Sequence, residues 1–116
     1  NRVRQPFNVN SLAQAAAVAA IGDREHVRAS AELNRAGMDQ LTAAFAQLGL
    51  EYIPSAGNFV TVDLGRSAGP VNEALLRRGV IVRPIANYGL PNHLRVSIGL
   101  EEENARFLAA LSEVLV

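Results

Sequence analysis

Cysteine, tryptophan and lysine are all absent from this chain. Without cysteine there is no disulfide framework, no thiolate metal site and no cysteine nucleophile. Without lysine, chemistry that runs through a Schiff base cannot be completed by these residues alone. Charge of one sign is absent too: eleven acidic side chains balance eleven arginines, for a formal net charge of zero. A nucleic-acid partner is therefore not expected, since it would call for a basic excess. No apolar run reaches the roughly 18–20 residues that a membrane span needs. The first residues do not form a secretory signal, and there are no repeats or low-complexity tracts. Together these absences favour a cytoplasmic protein with neither a membrane nor a nucleic acid as partner.

What is present is an ordinary globular composition. The chain has 116 residues, 49% of them apolar, enough for one domain with its own core. It starts at Asn1 rather than methionine, which raises the expectation of a piece of a longer protein. Residues 2–8 read as a polar linker carrying Pro6 and Phe7.

"NVNSLAQAAAVAAIGD" predicts a first helix, capped by Asn10 or Ser11 and ended by Gly22. It is apolar nearly all round and so calls for a cover. Asp23 is placed to cap a second helix over about 24–48. There Val27, Ala31, Asn34, Met38, Leu41, Phe45 and Leu48 recur at alternating spacings of four and three. Gly37 weakens its middle by about 1 kcal/mol against alanine. Pro54 breaks any long strand after it. Residues 58–64 are β-rich, with Phe59, Thr61 and Asp63 on one face and Val60 and Val62 on the other.

"RSAGPVNEALLRRG" predicts a short helix with Ser67 as its cap and Gly79 as its end. "VIVRP" reads as a strand, "IANYGLPN" as a loop and "HLRVSIG" as a strand. The final stretch is a helix whose glutamates crowd the N-terminal turn, where the dipole favours them. The order is helix, long helix, strand, helix, strand, strand, helix. That is an α+β, two-layer domain: a small, mostly antiparallel sheet with helices packed on one face.

The two arginines in "VRPIANYGLPNHLRVSIG" stand out. In the last strand Leu94, Val96 and Ile98 face one way, and His93, Arg95 and Ser97 the other. Helices cover only one face of so small a sheet, so Arg95 belongs on the outer one. Arg83 precedes Pro84, which ends its strand. Periodicity leaves two readings open, solvated arginines or two guanidiniums converging on an anion. Arginine suits the second because its planar fork grips carboxylate or phosphate through two parallel bonds. Other chemistries find no support. His26 and His93 lack a carboxylate or cysteine cluster for a metal. Ser55, Ser67 and Ser97 lack a histidine–acid arrangement. "SAGNF" and "SAGP" lack the spacing of a phosphate-cradling loop.

Three stretches carry a resemblance: "RVRQPFNVNSLAQAAAVAA", "PSAGNFVTVD" and "LLRRGVIVRPIANYGLPNHLRVSIGLEEENARFLAAL". Together they resemble the C-terminal portion of the histidinol-phosphate aminotransferase family, a branch of the fold type I, pyridoxal-phosphate-dependent class I/II aminotransferases. The resemblance implies the small domain of such an enzyme over residues 23–116, with residues 1–22 as linker and first helix reaching toward the cofactor domain and a homodimer partner. It implies pyridoxal 5'-phosphate, bound by parts of the enzyme outside this chain, and no catalytic residue, cofactor ligand or metal ligand within it. Arg95 matches the arginine that holds the substrate's anionic group, and Arg83 a second arginine near the same pocket. Tyr88 and Asn58 are carried over as bordering residues. Asn87 departs from the glycine expected in many relatives, a departure that bears on the loop shape and not on the arginines. The implied partners are a phosphorylated amino compound and glutamate or 2-oxoglutarate. Two alternatives remain: a relative such as a threonine-phosphate decarboxylase-like enzyme, or a stand-alone anion-binding regulatory module.

Overall fold

Two short polar side chains start the first two helices, as the sequence requires. The computed structural model describes residues 9–116, so the linker expected over residues 2–8, Phe7 included, lies outside the described residues. The chain divides into two units, Asn1–Ala31 and Glu32–Val116. In the first, Asn10 caps helix α1 (Ser11–Ile21) by accepting from Ala13 N–H at 2.8 Å, and Gly22 closes it. Asp23 Oδ1 accepts from His26 N–H at 3.0 Å at the start of helix α2 (Arg24–Gln47). Each cap supplies an acceptor to a backbone donor that the first turn leaves unpaired. α1 buries none of its residues.

The second unit holds a four-stranded sheet in the order β1-β2-β4-β3. The strands are β1 (Glu51–Ile53), β2 (Phe59–Asp63), β3 (Arg83–Ile85) and β4 (Leu90–Ser97), and every pair is antiparallel. Helix α3 (Ala68–Arg77) carries the chain from β2 over to β3, and β4 then returns between them. Helix α4 (Glu101–Leu115) ends the chain.

One sheet face carries the core. Val60, Val62, Leu94 and Val96 are buried beneath Leu41 and Phe45 of α2, Val71 and Leu75 of α3, and Phe107 and Leu111 of α4. Phe45 meets the Phe107 ring edge-on at 6.3 Å. Each fully buried Leu, Val or Phe contributes about 1.5–3 kcal/mol relative to exposure. The two-layer α+β expectation is met.

Several local expectations change in the structure. The stripe along α2 is buried in the core at Leu41 and Phe45, with half-buried Met38 packed against it, while Val27 is 62% and Leu48 37% exposed. β1 was not anticipated; three residues are too few to show a period, and its inward residue Tyr52 lies against Phe45. Ser67 occupies the cap position of α3 but its side chain makes no capping bond.

The strand expected over residues 80–84 begins only at Arg83, because Gly79 and Val80 close α3 instead. Gly79 sits at φ 76° and donates to Leu76 O at 2.9 Å, and Val80 donates to Leu75 O at 3.0 Å. Those two bonds satisfy the last carbonyls of the helix in a left-handed glycine cap.

The loop expected over residues 85–92 is part 3₁₀ turn, Ala86–Tyr88, and part β4, which starts at Leu90. Pro91 is tolerated there because the β3–β4 register shifts between Pro84 and Ile85, so the lost N–H falls at an irregularity.

Candidate anion-binding face

β4 is the central strand on the arginine side of the sheet, and its alternation sends Leu94 and Val96 into the core. His93, Arg95 and Ser97 therefore project from the opposite, helix-free face. The ladder sets their neighbours. Arg95 is directly opposite Thr61 of β2 on one side and Arg83 of β3 on the other. Two arginines thus stand side by side, about 4.5–5.5 Å apart at their Cα atoms in an antiparallel pair. Like charges so placed destabilise a sheet. The ion pairs found among the described residues, Arg78–Glu113 and His93–Asp63, involve neither of them.

Arg95 is half-buried and Arg83 exposed. The Arg95 guanidinium carbon lies 4.2 Å from the centre of the Phe59 ring. Phe59 is opposite Ser97, so the Arg95 side chain leans diagonally along the sheet toward the C-terminal end of β4. Asn58 stands at that same end. Its carbonyl accepts from Ile98 N–H at 2.9 Å and closes the β2–β4 ladder. Its side chain is exposed.

Tyr88 is 67% exposed in the 3₁₀ turn that precedes β4, whereas Arg95 is near the strand's other end. The structure therefore brings Arg83, Arg95 and the Asn58 end of β2 together, and leaves Tyr88 at the far end of the β4 hairpin. Phe59 is the neighbour that sequence reasoning overlooked. Its outward parity was visible, but its diagonal relation to Arg95 depends on register.

At the other end of the face, His93 is opposite Asp63, with Nε2 3.9 Å from Oδ2. Asp63 Oδ1 accepts from Gly65 N–H at 2.9 Å. Arg83 and Arg95 line neither described cleft. The larger, about 530 Å³, lies between residues 79–82 and α4, with Glu103 and Arg106 at its wall. Among the described residues no three His, Asp or Glu side chains gather as a metal site, and no helix is long and apolar enough to cross a membrane.

A family profile for aminotransferase class I and II matches residues 1–111. The chain belongs to this aminotransferase family. Among its relatives, a histidinol-phosphate aminotransferase 2 of Ralstonia nicotianae is 68% identical over 118 residues, covering 99% of this chain and 32% of the relative. One of Pseudomonas fluorescens is 66% identical over 115 residues, covering 99% of this chain and 31% of the relative. The chain thus spans about a third of the length of these aminotransferases. The fold has the same kinship. A histidinol-phosphate aminotransferase from Sinorhizobium meliloti, solved in complex with pyridoxal-5'-phosphate, superposes with a TM-score of 0.84 at 28% identity, over 98% of this chain and 32% of that one.

Proposed function

We propose that this chain is the small, substrate-closing lobe of a longer pyridoxal-phosphate-dependent histidinol-phosphate aminotransferase. On this reading the enzyme exchanges histidinol phosphate and 2-oxoglutarate for imidazole-acetol phosphate and glutamate. The observation that carries it is the opposed pair Arg83 and Arg95 on an uncovered face, in a chain 66–68% identical to aminotransferases of that name. The length of those relatives favours a lobe over a stand-alone module. Residues 23–116 form the lobe in this reading, and residues 1–22 lead into it. A cytoplasmic homodimer belongs to the same proposal.

These residues do not fit the cofactor as its holders. The chain has no lysine to carry it covalently, so no catalytic step is assigned to this lobe. Its own residues bind and orient. Arg95 grips the substrate's α-carboxylate or phosphate, with Arg83 adding charge beside it. Asn58 borders the site from the start of β2; Tyr88, expected to border it as well, stands at the far end of the β4 hairpin and is given no role at it. Each charge-assisted bond contributes about 1.5–3 kcal/mol, and fixing the anionic end places the reacting carbon. An uncharged analogue leaves a guanidinium unpaired and is rejected for that reason.

The test uses the full-length enzyme. Arg95→Ala should lower kcat/KM by at least about 100-fold, just below the lower end of what two such bonds contribute, while the bound-cofactor absorbance stays intact. Unchanged kinetics would refute the role of Arg95. Turnover of threonine phosphate with release of carbon dioxide, and none of histidinol phosphate, would move the enzyme to the decarboxylase-like branch. Residues 1–116 alone should neither bind the cofactor covalently nor turn over.

A further inference from the structure

An arginine that must present a flat fork to a ligand needs something to set the plane and direction of that fork. Its side chain has about 2 kcal/mol of rotamer entropy to lose, and nothing acidic holds Arg95 in place among the described residues. What holds it is a ring. The guanidinium carbon sits 4.2 Å over the centre of Phe59, within the range of a cation–π contact. Such a contact leaves the guanidinium N–H groups free for a ligand, because the ring offers no acceptor to compete for them.

The ring is itself braced. Gly57 lies so close to it that an added Cβ would stand 3.2 Å from Phe59 Cε1 and 3.5 Å from Cδ1. Gly57 is held in turn from two sides. Its carbonyl accepts from Asn34 Nδ2 of α2 at 3.1 Å, and its N–H donates to Ser55 Oγ at 3.1 Å. On the far side, Ile98 N–H donates to Asn58 O at 2.9 Å and pins the residue before the ring to the end of β4. A loop tied to α2 thus supports the ring, and the ring supports the guanidinium.

We propose that Phe59 is a positioning residue for anion binding: its braced ring sets the plane and direction of Arg95, with the loop 55–57 as its strut. The inference rests on the reading of Arg95 as the substrate's anion anchor and deepens it. It gives the enzyme a preorganised fork, so that the ligand does not have to order the side chain at the moment of binding.

The experiment measures, in the full-length holoenzyme, the affinity for succinate and for inorganic phosphate together with KM and kcat. The variants are Phe59→Leu, Phe59→Tyr, Arg95→Ala and the double variant Phe59→Leu/Arg95→Ala. Phe59→Leu keeps apolar bulk but removes the π face. It should raise KM and weaken both anions by about 5- to 30-fold, with kcat at saturation and melting temperature little moved. Phe59→Tyr should restore both. In the Arg95→Ala background, Phe59→Leu should add nothing further. Equal affinity in Phe59→Leu and wild type, with Arg95→Ala impaired, would overturn the role of Phe59 and leave the anchor standing. The same holds if Phe59→Leu weakens binding as much without Arg95 as with it. Unchanged affinity in Arg95→Ala would overturn the anchor itself, and the positioning role with it.

Discussion

Asn104 binds Gly99 with both ends of its side-chain amide: Oδ1 accepts from Gly99 N–H at 2.9 Å, and Nδ2 donates to Gly99 O at 3.1 Å. The same Nδ2 also donates to Gln40 Oε1 of α2 at 3.1 Å. Asn104 is only 4% exposed. One buried amide therefore locks the corner between β4 and α4 and ties it to α2. Asn104→Leu leaves the Gly99 N–H and the Gln40 carbonyl without their partner. It should cost about 2–4 kcal/mol, the loss expected when buried groups are left unpaired, read as a lower unfolding midpoint in urea. A midpoint unchanged from wild type would mean that the corner is held by packing alone.

Gly37 is the place where α2 comes closest to that corner. A Cβ there would collide with Ile98 Cγ2 and stand 3.0 Å from Asn104 Nδ2. By helix propensity Gly37→Ala should stabilise by up to about 1 kcal/mol. Overpacking costs about 1–3 kcal/mol, so the net change should be destabilising. Adding Ile98→Ala should recover part of the loss, and the two changes should be non-additive in thermal unfolding. A raised melting temperature for Gly37→Ala would show that the helices separate freely.

Arg83 should affect stability and binding in opposite directions. Facing Arg95 across the ladder, it repels a like charge in the unliganded sheet. Arg83→Gln should stabilise the ligand-free protein by a few tenths of a kcal/mol, with a smaller gain at high salt. The same variant should weaken phosphate binding in the full-length enzyme by about tenfold, one charge-assisted bond's worth. Loss of stability without loss of binding would reverse the assignment.

α1 exposes Leu12, Val18 and Ile21 at 74–82%, and it carries no charged residue. Such a patch calls for a cover. Residues 1–116 made alone should self-associate, with an apparent mass in sedimentation velocity that rises with concentration. Leu12→Glu/Val18→Glu should return the mass toward that of a monomer. A monomer at high concentration without the substitutions would show that the patch is tolerated in water. Val9, just before the helix, is exposed as well.

The family was legible in the sequence because its motifs are local. So were the caps at Asn10 and Asp23, which depend on a side chain reaching a backbone donor three residues on. The face on which Arg95 emerges was legible too, since parity along one strand needs no knowledge of any other strand. Register was not. Which residue of β2 or β3 meets Arg95 depends on the turn at Ala86–Tyr88, on the irregularity at Pro84/Ile85 and on β2 arriving from the other side. These are long-range pairings that no local period encodes. Residues 80–84 mark the boundary: their apolar run reads as strand, but the left-handed glycine cap takes Val80 into the core before β3 can begin. The sequence by itself thus determined the elements, the uncovered face and the kinship. Only the tertiary structure decided that Arg83 stands beside Arg95 and that Phe59 lies beneath its fork, because those contacts exist only once distant strands have been brought into one sheet.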